Sequence, residues 1–187
     1  MTILLVMLGV VLALALLIIG IYNRLIGLRQ TCNQAWSDIE VQLKQRQDLI
    51  PNLVNVVKGY AKHERETLKE VIDARNAAVS AGGVGDTVAA ENFLTQALSK
   101  LFALAEAYPD LKANENYLQL QDELSDVENK ISAARRFYNN ATQEYNTGRE
   151  QFPANMIAAP FSFGSRDFFE SVEGREALQV APDVSFD

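Results

Sequence analysis

Residues Ile3 to Tyr22 read ILLVMLGVVLALALLIIGIY, twenty residues without one charged side chain. That run limits the chain to very few architectures. As a helix it extends about 30 Å, the thickness of a bilayer's hydrocarbon. Inside a bilayer every peptide N–H and C=O needs a partner within the protein, and a helix supplies them from its own backbone. A cleaved signal peptide would show a basic start, a shorter apolar core and a small-x-small exit. Here the core is long and leaves through Ile21-Tyr22-Asn23-Arg24. Residues 1–23 therefore read as an uncleaved transmembrane anchor, with Tyr22 at the membrane interface. Arg24 and Arg29 follow at once. By the positive-inside rule the short N-terminus lies outside and the C-terminal domain in the cytoplasm, a single-pass topology in the cell (inner) membrane.

All 41 charged residues lie in the 164 residues from Arg24 onward, which makes this part about one quarter charged, as in ordinary globular domains. The net charge is −7. Phosphate binding needs clustered Lys and Arg, and the densest basic spots are Lys44 with Arg46 and Arg135 with Arg136, so no nucleic-acid partner is expected. The one cysteine, Cys32, cannot staple the domain internally, so packing must hold it. It reads as a small, partly buried residue.

From 24 to 151 the pattern is helical. Leu25, Leu28, Cys32, Ala35, Ile39 and Leu43 are spaced by three or four, with Trp36 beside the stripe. Leu53, Val56, Val57 and Tyr60 resume it beyond Asp48-Leu49-Ile50-Pro51-Asn52, and Leu68, Val71 and Ile72 follow. Pro51 has no N–H and clashes with the preceding turn. As a turn it gives four helices; as a kink, three with a very long first one. Gly82 to Gly85 reads as a flexible loop. A helix from Val88 to about Ala107 carries Leu94, Leu98, Leu101 and Ala105, and Tyr108-Pro109-Asp110 turns the chain. The last helix, Asn114 to roughly Gly148, has the clearest seam: Tyr117, Leu120, Leu124, Val127, Ile131, Ala134, Tyr138, Ala141 and Tyr145. Packing these stripes together predicts an all-α fold, an antiparallel bundle of long helices behind the anchor. Pro153 ends the helical region. Residues 152–187 form an irregular tail rich in aromatics, among them Phe152, Phe161, Phe163, Phe168, Phe169 and Phe186. Phe152 to about Phe169 is expected to pack on the bundle or a partner, with Ala181 to Asp187 loose.

Chemistry is sparse. His63 is the only histidine. Thr67 stands where a zinc-binding HExxH motif needs its second histidine, so His63 reads as a polar residue on a helix face. Glu106, Asp110 and Glu128 are carboxylates that pair for acid–base work only by chance among 24 acids. Neither a cofactor nor a small-molecule substrate is expected. Arg135-Arg136-Phe137-Tyr138-Asn139-Asn140 has more texture: Tyr138 sits on the seam, with Arg135 and Asn139 beside it.

The chain resembles the LemA family of bacterial membrane proteins. The resemblance rests on Tyr22-Asn23-Arg24-Leu25, Ala35-Trp36-Ser37-Asp38-Ile39, Asp48-Leu49-Ile50-Pro51-Asn52-Leu53-Val54 and Val57-Lys58-Gly59-Tyr60. It continues through His63-Glu64, Ala105-Glu106-Ala107-Tyr108-Pro109-Asp110-Leu111-Lys112-Ala113 and Glu128-Asn129-Lys130-Ile131. Arg135-Arg136-Phe137-Tyr138-Asn139, Tyr145-Asn146 and Phe152-Pro153 complete it. The resemblance implies a four-helix bundle with a true break at Pro51, and a cytoplasmic domain. It implies no established activity, only associations with envelope and membrane stress, a membrane metalloprotease neighbourhood and magnetosome membrane formation. The reading is then a non-enzymatic, membrane-anchored scaffold binding the bilayer, protein partners or further copies of itself. An adaptor of a membrane protease or sensor, docking through the aromatic tail, is the alternative; an enzyme using His63 or Glu106 comes last.

Overall fold

The computed structural model describes residues 1–169. The tail expectations beyond Phe169, including Phe186 and the Ala181–Asp187 end, lie outside the described residues. Among the described residues the regular elements are all helices: α1 (Thr2–Tyr60), α2 (Arg65–Ser80), α3 (Gly83–Ala105), the single turn α4 (Pro109–Lys112), α5 (Glu115–Glu150) and the short α6 (Ala154–Ala158). The expected all-α fold with one long apolar N-terminal helix is what forms.

Three boundaries differ from expectation. α1 does not break at Pro51 but runs through it to Tyr60. Its first departure from helix is at Ala61–Glu64, so four long helices arise with the break ten residues later than Pro51. The missing N–H of Pro51 leaves the Gln47 carbonyl without its helical donor, and the Nε of Arg75 on α2 donates to that oxygen at 2.9 Å. Second, Gly82–Gly85 is no loop. Ala81 turns extended and Gly82 caps α3, which begins at Gly83. Gly83 has φ +80°, a conformation that suits glycine and disfavours a Cβ. Third, Pro153 does not end the helical region, because α6 follows it directly.

Two compact units share the chain. One holds Met1–Ile39 with Ala134–Asp167; the other holds Glu40–Ala133 with Phe168 and Phe169. In the first unit α1 and α5 run antiparallel, since Leu28 meets Gly148 and Trp36 meets Tyr138. Leu25, Cys32, Ala35 and Ile39 of α1 are buried, as are Tyr138, Ala141 and Tyr145 of α5. In the second unit Ile50, Leu53 and Val57 of α1 join Leu68 and Val71 of α2, Leu94, Leu98 and Leu101 of α3, and Tyr117 and Leu124 of α5 in one core. Asn114 caps α5 there: its Oδ1 accepts from the Tyr117 N–H at 3.0 Å, the expected use of an Asn at this position. Its Nδ2 donates to the Tyr60 hydroxyl at 3.0 Å.

Candidate functional site

Every large apolar side chain from Ile3 to Ile19 is exposed. Burying a Leu or Ile contributes about 1.5–3 kcal/mol, so water is the wrong solvent for this stretch. At the end of the run, Tyr22 meets another part of the chain. Its ring lies edge-on to Phe161 at 5.2 Å and to Phe163 at 5.5 Å. Arg29 sits 5.1 Å above the Phe163 ring, a cation–π arrangement. Arg24 is exposed.

The segment 159–167 is strapped along α5 by side chains that act on its backbone. The Tyr145 hydroxyl donates to the Gly164 carbonyl at 2.9 Å, and Tyr138 donates to the Asp167 carbonyl at 2.9 Å. Asn146 makes both halves of a pair: its amide donates to the Arg166 carbonyl at 2.9 Å and its Oδ1 accepts the Arg166 N–H at 3.0 Å. The Arg166 guanidinium reaches Asn33 Oδ1 at 2.5 Å. Phe163 of this segment is buried, whereas Phe152 and Phe161 are exposed. Burial pushes the Tyr138 hydroxyl above its ordinary range, against the lowering pull of Thr142 and Arg166. Burial also pushes up the Cys32 thiol, and Arg166 opposes it. Cys32 is wholly buried rather than partly so.

In the other unit the polar residues gather inside. Arg46 is buried and lies 3.2 Å from Glu91, which is wholly buried, and 3.2 Å from the half-exposed Glu128. Arg46 also donates to the Thr95 hydroxyl at 2.8 Å, and Gln47 donates to Glu91 at 3.1 Å. One charge node thereby joins α1, α3 and α5. Glu106 pairs with Lys112 on the surface, and Asp48 with Lys44. Asn52 is exposed. The Tyr108 hydroxyl donates to Glu64 at 3.2 Å, and Pro109 opens α4. His63 is exposed in the turn between α1 and α2 rather than on a helix face. Among the described residues no three His, Cys, Asp or Glu side chains gather as a metal site.

Sequence reading misses two features. Glu91 is one acid among many. The other is a groove of about 610 Å³ with Val54, Leu68 and Ile72 inside it and Lys58, Lys62, Arg65 and Lys69 around it. Its basic residues come from the end of α1, the turn and the start of α2, so only the fold of that turn brings them around one groove. Arg135 and Asn139 are half-buried on α5 on either side of Tyr138, whereas Arg136 is exposed, and Phe152 is 80% exposed.

One exposed apolar helix long enough to cross a bilayer, leading into helices that bury their seams in the manner of water-soluble ones, defines a single-pass, all-helical membrane protein. More particularly, the chain belongs to the LemA family, whose model matches residues 35–186. It is similar to the magnetosome protein MamQ 2 of Paramagnetospirillum magneticum, 23% identical over 189 residues that cover 87% of this chain and 70% of that protein. MamQ of Magnetospirillum gryphiswaldense is 22% identical over the same coverage. Protein LemA of Metamycoplasma hominis is 29% identical over 160 residues, 83% of this chain and 71% of its own.

Proposed function

We propose that this chain is a non-enzymatic scaffold, anchored by α1 and binding protein partners or further copies of itself at the cytoplasmic face, in the organisation of the membrane or envelope. The observation that carries the reading is the groove of α1 and α2. An apolar floor of Val54, Leu68 and Ile72 inside a rim of four cations, on a chain of net charge −7, fits an acidic amphipathic segment. Apolar anchors inside a polar rim are the usual anatomy of a protein contact. Anchoring in two dimensions raises the effective concentration, so weak contacts suffice. Arg24 and Arg29, directly after the span, favour the cytoplasmic side. Relatives named as magnetosome proteins support a role tied to membrane organisation.

The experiment is crosslinking in intact membranes, with the full chain and with a Lys62→Glu/Arg65→Glu variant. Adducts with a protein or with itself are expected, reduced several-fold in the variant. A chain that gives no adduct in either form ends the scaffold reading. The adaptor alternative, docking through the aromatic tail, has no comparable groove behind it, and of that tail Phe163 is buried.

A further inference from the structure

Residues 152–161, which lead into the strap and meet Tyr22 through Phe161, carry large apolar side chains that stay exposed. Phe152 is 80% exposed, Met156 69% and Phe161 52%. Phe152 and Met156 stand four residues apart, and Ile157 and Ala158 of α6 face inward, buried. The strap therefore has an inner apolar side that packs and an outer one that does not.

Its depth follows from its contacts. A bilayer's interfacial layer adds roughly 5–7 Å on each side of the hydrocarbon. Phe161 is 5.2 Å from the ring of Tyr22, the residue that ends the apolar run, so it lies within that layer. α5 runs towards the same level: Gly148 meets Leu28, which is about 9 Å along the helix from Tyr22, and α5 continues to Glu150. Phe152 then falls within a few ångströms of the interface.

Charge agrees. Along the helices, the stretch within about 11 Å of Tyr22 has the basic side chains Arg24, Arg29 and Arg149 against the acidic Glu150. It is locally positive in a chain of net charge −7. Cations next to a bilayer favour anionic headgroups. Aromatic and long apolar side chains are at home in this layer.

We infer that the strap from Phe152 to Phe161 is a second membrane contact, with Phe152, Met156 and Phe161 inserted into the headgroup layer of the bilayer that α1 crosses. The inference does not depend on the scaffold reading or on which side the helices face. It gives the protein two attachments, a spanning helix and an interfacial patch held on it by Tyr22.

The test places a spin label at Phe152→Cys, Met156→Cys and Phe161→Cys in the full chain, reconstituted in nanodiscs containing phosphatidylglycerol. The unsubstituted chain reports any labelling of Cys32, and Leu118→Cys, exposed on α5, serves as the aqueous reference. Circular dichroism checks that each variant is folded. Labels at the strap should favour oxygen over a water-soluble nickel chelate by several-fold relative to Leu118→Cys. Strap labels that read like the reference would overturn the inference. So would labels shielded from both reagents, which would mean that protein, such as a second copy, covers the strap.

Discussion

Arg75 donates its Nε–H at 2.9 Å to the carbonyl of Gln47, the oxygen that Pro51 deprives of its helical partner. The two facts explain each other. A proline inside a helix costs about 3 kcal/mol, partly because a carbonyl goes unpaired. Here a guanidinium from the neighbouring helix fills the vacancy, so α1 continues and α2 is located against it.

The pair is testable as a double-mutant cycle. Arg75→Met alone should destabilise the protein by about 1–3 kcal/mol, because it leaves a carbonyl unsatisfied. In a Pro51→Ala background the restored backbone N–H can take the Gln47 oxygen, and the same substitution should cost about 1 kcal/mol less. Urea unfolding of the full chain in detergent measures all four corners. A coupling energy of zero would separate Arg75 from Pro51.

The charge node makes an asymmetric prediction. Glu91→Ala removes the buried partner of Arg46, leaving it the solvent-screened Glu128 and the Thr95 hydroxyl, and should cost about 3 kcal/mol, the low end for a broken buried pair. Glu128 holds the same Arg46 at the same 3.2 Å, but its side chain is 43% exposed, so solvent screens the pair. Glu128→Ala should cost less than about 1 kcal/mol. Equal losses in denaturant midpoint would show that burial does not set the value of these contacts.

The seams are legible in the sequence because burying one face of a helix leaves a period of three and four whatever the helix packs on. Leu25, Cys32, Ala35 and Ile39 on α1 and Tyr138, Ala141 and Tyr145 on α5 stand out by spacing alone, and all are buried. Pro51 misleads because its cost is local while its compensation, Arg75, lies 28 residues away from the Gln47 carbonyl. Glu91 is invisible for the same reason: its burial depends on Arg46 and Gln47, more than 40 residues distant. Of the singled-out residues, Tyr22, Arg29 and Tyr138 come together with the strap. The bonds that hold the strap join Asn146 to Arg166 and Asn33 to Arg166, and no local pattern announces them.

Alkaline pH should destabilise the fold. Burial raises the hydroxyl pKa of Tyr138, and burial followed by Glu106 raises that of Tyr117. The ordinary value is about 10. Above it the unfolded chain loses protons that the native chain keeps, so the unfolded state binds fewer, and stability falls as pH rises. Below it these groups contribute no slope. The denaturant midpoint should drop as pH rises above about 10, and Tyr138→Phe should flatten the drop. Tyrosinate absorbance that develops at the same pH in native and urea-unfolded chain would contradict this.

Asn146 is the residue on which the strap most directly depends, because it alone satisfies both the N–H and the C=O of Arg166. Asn146→Ala removes a donor and an acceptor together, at a cost of about 1–3 kcal/mol for the groups left unpaired. That loss falls on the strap and not on the seam of α5, where Tyr138 and Tyr145 remain buried. Hydrogen exchange should therefore show the Arg166 amide losing roughly ten-fold or more of its protection, with the α5 amides near Ile131 unchanged. Asn146→Asp, which keeps the acceptor and loses the donor, should fall between the two. If Arg166 keeps its full protection in Asn146→Ala, the Tyr138 and Tyr145 hydroxyl bonds, the Arg166–Asn33 contact and the ring contacts with Tyr22 are sufficient to hold the strap, and the amide pair is incidental to it.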